Sequence, residues 1–439
     1  MPNTNPYDVQ LTDEQERALT SITEQIQEEG EPMVSLQGYA GSGKTTLLRF
    51  IIRRLRNDFQ DVFLAAPTHK AAEVLRNKTN RDVRTVHSLF AMKPVWDGKG
   101  GYKFVPSNDQ PERFVGKSLL VIDEASMVPQ EIYDEIEKAV KKRPLTVVFC
   151  GDPAQLPPVN ESRSPALFQP GDKLQEIVRQ ERGNPIIGLS MEIRESQGSS
   201  KTNVDSDLWD RVQTETNQGK GIHRVSSREA LLTQAVSEFE TERCQKHPSH
   251  ARMIAYRNKT VDTYNDLARQ LVYEDRAEED FIEGEWLVAN DPWYRNSEDL
   301  RPVIQNSEEV VVLDKEPAEL LGFDSWILEI AANTDGDNIR YIETLQKSEE
   351  DRFASKLEFL KDRALNKGGN WKKYYHYKEA FCNCSYNFAV TAHKSQGSTF
   401  EKVFVDVNDL LSCPNPEEVY RLLYVAVTRA SSDLFVYQK

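Results

Sequence analysis

An α/β architecture built on two sheets is what this sequence predicts, and three observations predict it. Short apolar runs rich in β-formers, at 33–36, 62–66, 119–122 and 145–150, alternate with helical patterns early in the chain. A second set, at 253–255, 388–391, 403–407 and 434–437, appears near the end. One early run also leads through a glycine-rich loop into Leu47, Leu48, Ile51, Ile52 and Leu55, which are spaced as one face of a helix.

At 439 residues the chain exceeds what one core organises, so two or more domains are expected. Between about 271 and 384 the text turns irregular, acidic and then aromatic, as in a domain inserted into a loop of the second α/β unit. A smaller insertion at 92–116 reads as two short strands around the turn Asp97-Gly98-Lys99-Gly100-Gly101. There are no repeats. The five cysteines form neither a disulfide framework nor paired zinc spacings, Cys382 and Cys384 being only a weak metal signal, so a reducing, cytoplasmic setting is expected. The first ten residues have no apolar core for a signal peptide, and no run approaches membrane-spanning length, so a soluble protein with no membrane partner is expected.

A formal charge of -15 predicts only weak, salt-sensitive attraction to nucleic acid, but it does not exclude a locally positive groove. The acid is clumped, in Glu28-Glu29-Gly30-Glu31 and over 274–285, where it reads as solvated surface and linker.

The chemistry begins in the loop. Gly38-Tyr39-Ala40-Gly41-Ser42-Gly43-Lys44-Thr45-Thr46 follows a strand, precedes a helix and fits GxxxxGKS/T. Glycines let the backbone curl so that N–H groups meet phosphate oxygens, which makes Gly38, Ala40, Gly41, Ser42, Gly43, Lys44, Thr45 and Thr46 the expected ATP contacts. Lys44 is expected to reach the β and γ phosphates, and the Thr45 hydroxyl to ligate Mg²⁺. The run at 119–122 ends in Asp123-Glu124, at the carboxyl end of a parallel strand. Asp123 is expected to hold Mg²⁺ through water, and Glu124 to activate the attacking water.

Further segments carry a resemblance: Gly151-Asp152-Pro153-Ala154-Gln155-Leu156-Pro157-Pro158, then Ala389-Val390-Thr391-Ala392-His393-Lys394-Ser395-Gln396-Gly397-Ser398-Thr399 and Tyr424-Val425-Ala426-Val427-Thr428-Arg429-Ala430. With Gln15 in LTDEQERAL, Ala66-Pro67-Thr68-His69-Lys70, Thr85-Val86-His87-Ser88 and Ile177-Val178-Arg179-Gln180, the chain resembles superfamily 1 helicases, most closely the 5′ to 3′ RecD/Dda-like branch. The resemblance spans nearly the whole chain in order and spacing.

It implies two RecA-like P-loop domains, with an inserted β-hairpin pin and an SH3-like inserted domain. The expected boundaries are 1–91, 117–178 for the first domain, 92–116 for the pin, 179–271 and 385–439 for the second domain, and 272–384 for its insertion. By resemblance, Gln15 reads the adenine, Gln155 senses the γ phosphate, Gly397 joins the nucleotide contacts, and Arg179 and Arg429 are arginines supplied across a cleft. A guanidinium at the γ phosphate is worth about 10³ to 10⁵ in rate in such enzymes. Arg182 is an alternative to Arg179.

Thr68, His69, Lys70, Thr85, His87, Ser88, Thr391, His393 and Lys394 are short polar or cationic groups suited to a DNA backbone without base specificity. In the hairpin, Trp96, Tyr102 and Phe104 either stack on bases or pack the hairpin on its own domain. Lys367, Trp371, Lys372, Lys373, Tyr374, Tyr375, Tyr377 and Lys378 suit single-stranded DNA or an amphipathic helix packed on its domain. The expected partners are single-stranded DNA and duplex junctions, with single-strand-binding or replication and recombination proteins beside them, and the expected state is a monomer in a bacterial or phage-infected cell. Two other readings stay open: a P-loop ATPase switch or small-molecule kinase that never touches DNA, and a translocase that strips proteins while unwinding poorly.

Overall fold

The computed structural model describes residues 10–96, 102–106, 114–177, 184–196, 212, 214–217, 219–295, 302–366 and 371–439, with the backbone alone at 93–96, 102–104 and 106. The chain divides into two compact units. One comprises Met1–Ser200, Gln396–Ser398 and Tyr420–Thr428, the other Lys201–Ser395, Thr399–Val419 and Arg429–Lys439.

In the first unit the strands are β1 (Met33–Gly38), β2 (Asp61–Ala66), β3 (Val83–Thr85), β4 (Met92–Trp96), β5 (Tyr102–Pro106), β6 (Ser118–Ile122), β7 (Leu145–Gly151) and β8 (Gly171–Leu174). Six of them form one parallel sheet in the order β3-β2-β6-β7-β1-β8. Period-two alternation explains why these runs are apolar throughout. Leu119, Val121, Val148 and Cys150 join one buried cluster with Leu19, Ile22, Leu47, Ile51 and Leu75 of three helices. Leu120, Ile122, Val147 and Phe149 join another with Val86, Ile132 and Ile136. A parallel strand buried on both faces needs both of its sides apolar. Strands β4 and β5 pair antiparallel from Met92↔Pro106 to Trp96↔Tyr102, while the turn at 97–101 lies outside the described residues.

The second unit contains β9 (Glu215–Asn217), β10 (Lys220–Val225), β11 (Ala251–Ala255), β12 (Trp286–Ala289), β13 (Glu309–Leu320), β14 (Phe323–Ala331), β15 (Arg340–Leu345), β16 (Cys384–Tyr386), β17 (Ala389–Thr391), β18 (Phe400–Asp406) and β19 (Ala430–Tyr437). Its main sheet runs β17-β11-β18-β19-β10-β9, parallel except for β9. Apart from the edge strand β9, this repeats the first sheet position by position, with β10 standing where β1 stands and β18 where β6 stands.

Between the helix Asn258–Tyr273 and β17 the chain makes a separate antiparallel sheet, β15-β14-β13-β12-β16, with its own buried cluster around Leu287, Val310, Leu328 and Ile342. Helices Glu350–Asn366 and Trp371–Lys378 accompany it. Trp371, Tyr374, Tyr375 and Tyr377 of the second helix are half-buried, and Lys372, Lys373 and Lys378 are exposed.

The acidic stretch from 274 to 285 departs from the expected solvated linker at its end. Glu285 is fully buried, because Arg269 donates from Nε to Oε1 at 2.6 Å and the Ile282 N–H donates to Oε2 at 3.2 Å. A buried carboxylate persists only when paired and hydrogen-bonded in this way. The Cys382 and Cys384 sulfurs lie 3.4 Å apart, and among the described residues no group of three or more His, Cys, Asp or Glu could hold a metal ion. No described helix is long and apolar enough to cross a membrane.

Candidate nucleotide and nucleic-acid site

The phosphate loop leaves the carboxyl end of β1 and enters the helix Lys44–Leu55. Leu47, Leu48, Ile51, Ile52 and Leu55 anchor that helix in the core, so the loop is held by a rigid element. Its start differs from those of its neighbours. The helices beginning at Asp13, His69 and Val86 are capped by the side chains of Thr12, Thr68 and Thr85, whereas this one begins at Gly43 in the left-handed region (φ 80°) with no side-chain cap. Uncapped first-turn N–H groups behind a glycine loop form an anion cradle. A side chain at Gly43 would run into the Gln15 amide.

Lys44 lies across the loop, donating from Nζ to the Gly38 carbonyl at 2.7 Å and the Tyr39 carbonyl at 3.0 Å. An ammonium carries three N–H bonds, so one is left for a phosphate oxygen. Gln15 braces the same loop: Nε2 donates to the Ser42 carbonyl at 3.0 Å, while Oε1 accepts the Thr12 N–H at 3.1 Å in a capping box. Thr46 is half-buried in the first helical turn.

Strand β6 delivers the acidic pair. Thr45 donates from Oγ1 towards Asp123 Oδ2 at 3.4 Å, and Asp123 Oδ1 accepts the Glu124 N–H at 2.9 Å. A hydroxyl and a carboxylate side by side are hard oxygen donors of the kind Mg²⁺ takes, so these residues fit the ion. Glu124 sits at φ 54°, a left-handed conformation unusual for a residue with a side chain. Strain of this kind costs about 1–3 kcal/mol and clusters at functional sites.

From the end of β7, next to β1, comes the turn that holds Asp152 and Gln155. Asp152 is fully buried; Oδ1 accepts the Ala154 N–H at 2.9 Å, and Oδ2 accepts the Tyr424 hydroxyl at 2.7 Å. The Tyr424 oxygen also accepts the Ala40 N–H of the phosphate loop, at 2.9 Å. Gln155 is buried, yet its Oε1 has no hydrogen-bond partner among the described residues; the same holds for the buried Ser42 Oγ within the loop. Orphaned oxygens beside a phosphate cradle fit a site built for a polar ligand.

A second set of expected residues shares one structural device. Thr68 follows β2, Thr85 ends β3 and Thr391 ends β17, all at carboxyl ends of parallel strands. Each threonine oxygen accepts a backbone N–H three residues on, from Ala71, Ser88 and Lys394 respectively, at 3.2 Å. A histidine stands one or two residues beyond each, His69, His87 and His393. Lys70 pairs with Glu73 at 3.5 Å, His393 with Glu418 at 3.2 Å, and Lys394 donates to Asn290 Oδ1 at 2.8 Å. Ser88 is exposed.

Other expected residues stand apart. Arg179 and Arg182 lie outside the described residues, as do the side chains of Trp96 and Phe104. Arg429 is buried at the start of β19, where its carbonyl accepts the Phe400 N–H at 2.9 Å. Gly397, expected among the nucleotide contacts, lies against the helix His69–Thr79: at φ 75° a side chain there would meet Ala71 Cβ at 3.1 Å. Its close backbone approach and left-handed φ are reason enough for glycine.

Residues 10–215 match the AAA domain family model, and residues 386–437 match the UvrD-like helicase C-terminal domain. The ATP-dependent DNA helicase dda of Enterobacteria phage T4 is 27% identical over 97% of this chain and 98% of its own length. An uncharacterized protein of Acanthamoeba polyphaga mimivirus is 24% identical over 96% of this chain and 98% of its own. The Pif1 helicase of Bacteroides, solved with ADP-AlF3 and single-stranded DNA, aligns over 98% of this chain and 92% of that one with TM-score 0.50 and 18% identity. The Pif1 helicase of Candida albicans aligns over 98% and 95%, also at TM-score 0.50 and 18% identity. Over nearly its whole length the chain is similar to the Dda-type superfamily 1 helicase, and its fold is that of the Pif1 helicase structures.

In this chain one histidine has a defined protonation preference. Burial first, and the neighbouring His69 second, lower the pKa of His87 from 6.5. The folded state therefore favours the neutral ring, and the unfolded chain binds more protons as pH drops below 6.5. Stability from this residue is full above that value and lost as pH falls through the lowered folded one. His87→Gln should flatten the fall of the thermal unfolding midpoint below about pH 6.5; an unchanged slope in the variant would remove His87 as its source.

Two site residues escaped sequence reading, Tyr424 and Asp152, although both lie in motifs that were recognised. The available signal was a tyrosine in an apolar helix, since a buried phenol needs a hydrogen-bond partner.

Proposed function

We propose that this chain is an ATP-dependent DNA helicase that translocates 5′ to 3′ along single-stranded DNA and unwinds duplex. The observation that carries the reading is the phosphate loop with Thr45, Asp123 and Glu124 on one of two sheets that share one order over five parallel strands. Lys44 would hold the β and γ phosphates, and Glu124 would take the proton of the attacking water. Thr45 and Asp123 would hold Mg²⁺, which supplies charge neutralisation at the phosphate oxygens. Gln15 would meet the base and Gln155 the γ phosphate. Arg429, with Arg179, would meet the charge that develops in the transition state.

Thr68, His69, Lys70, Thr85, His87 and Ser88 in the first unit, and Thr391, His393 and Lys394 in the second, would contact the DNA backbone. The recurring threonine cap with a nearby histidine supports this, because it sets polar groups at strand ends where α/β sheets bind ligands. The hairpin of β4 and β5 would be the pin at the duplex junction, with Trp96 and Phe104 on it, and the antiparallel sheet from β12 to β16 an SH3-like module. The protein would act as a monomer in the cytoplasm of a bacterial or phage-infected cell, beside replication or recombination proteins.

Two measurements test the reading. ATP turnover should rise on adding single-stranded DNA; unchanged turnover would leave a P-loop ATPase that does not use DNA. A duplex with a 5′ single-stranded tail should be unwound and one with a 3′ tail left intact; the reverse preference would refute the polarity.

A further inference from the structure

We infer that Tyr424 is a positioning residue for ATP hydrolysis, acting through the phosphate loop and the Gln155 turn; the inference rests on the proposed ATPase reading. One phenolic oxygen makes both bonds, accepting the Ala40 N–H at 2.9 Å and donating to Asp152 Oδ2 at 2.7 Å. Tyr424 is 1% exposed and Asp152 fully buried, so the bond between them is shielded from water, while Ala40 is half-buried. A buried carboxylate without its donor is costly, and a shared oxygen makes each bond strengthen the other.

The link is nonlocal. Ala40 and Tyr424 are 384 residues apart in sequence, and Asp152 and Tyr424 are 272 apart. Ala40 belongs to the loop that would cradle the phosphates. Asp152 opens the turn that carries Gln155, whose N–H donates to the Asp152 carbonyl at 3.2 Å. Tyr424 lies on the helix Pro416–Thr428, which runs directly into Arg429. The hydroxyl therefore ties the phosphate loop and the glutamine turn to one helix. A shift of Tyr424 changes the geometry of both hydrogen bonds, and a shift of the loop or of the turn changes its own.

Tyr424→Phe keeps the ring and removes only the oxygen. Mispositioned groups act on the transition state more than on ground-state binding, so kcat for DNA-stimulated ATP turnover should fall about tenfold while KM for ATP changes less than about twofold. Wild-type kcat, or a loss carried by KM alone, would overturn the inference.

Should the phenylalanine variant fail to fold, 3-fluorotyrosine placed at 424 in the full chain gives a second measurement. Its fluorine resonance should move on addition of a non-hydrolysable ATP analogue, and an unmoved resonance would overturn the role. The wild-type control separates this from the parent reading: absence of DNA stimulation refutes the helicase function, while the fluorine response to nucleotide still decides whether Tyr424 follows the loop.

Discussion

Replacing Lys44 with alanine should abolish ATP hydrolysis while leaving the protein folded. The ammonium is half-buried and makes two hydrogen bonds, both to loop carbonyls, at 2.7 and 3.0 Å. Tyr39 is half-buried, so water can take over the bond to its carbonyl, whereas Gly38 is buried at the end of β1 and its carbonyl loses its lysine partner. The core of the helix that Lys44 begins, Leu47, Leu48, Ile51, Ile52 and Leu55, is untouched. The cost to stability is therefore that of one buried carbonyl losing a partner, about 1–3 kcal/mol. Catalysis loses more. Negative charge spreads over the γ-phosphoryl oxygens as the bond to the leaving group breaks, and a preorganised donor there is worth at least about 10²–10³ in rate. Steady-state turnover with saturating single-stranded DNA, beside circular dichroism of the same sample, reads both quantities. Retained turnover with an intact fold would mean that the loop does not hold the reacting phosphates.

That loop was legible in the sequence because all of its parts are contiguous. Strand, glycines, lysine and apolar helix face follow one another, and the structure reproduces them at β1 and the helix Lys44–Leu55. Strands β2, β6 and β7 were legible for a related reason: each is a buried parallel strand whose two faces feed two apolar clusters, so nearly every residue is apolar. Strands β3, β8 and β10 were not. Only Leu174 is buried in β8, which sits at the sheet edge, and β3 spans three residues. In β10 a histidine takes an apolar position: His223 stacks on Phe435 with ring centroids 4.5 Å apart and lies 2.8 Å from Asp433 Oδ1. Backbone pairing defines such strands, and a composition pattern does not register it.

The site divides along the same line. Lys44, Thr45, Asp123 and Glu124 declare themselves through local motifs, and the structure brings Thr45 to Asp123. The Tyr424 bridge and the embrace of the phosphate loop by Gln15 depend on contacts across the chain, which spacing does not encode.

Glu124 offers the sharpest separation of function from stability. Its backbone is left-handed, at φ 54° and ψ 37°, immediately after the buried β6. Asp123 Oδ1 accepts the Glu124 N–H at 2.9 Å and so fixes the turn from within the same acidic pair. Glutamine keeps the size, the backbone strain and the hydrogen-bonding reach of glutamate but cannot take a proton. Glu124→Gln should therefore bind ATP with affinity close to wild type while turnover falls by about 10²–10⁴, the range of a general base. Glycine removes the side chain and the strain together. Glu124→Gly should be equally inactive yet more stable than the glutamine variant by up to about 1 kcal/mol, because glycine adopts positive φ at no steric cost. Fluorescent-nucleotide binding, ATP turnover and thermal unfolding of the two variants test this. Turnover retained in glutamine would exclude Glu124 as the base. A glycine variant less stable than the glutamine one would mean that the left-handed turn is held by the side chain rather than strained by it.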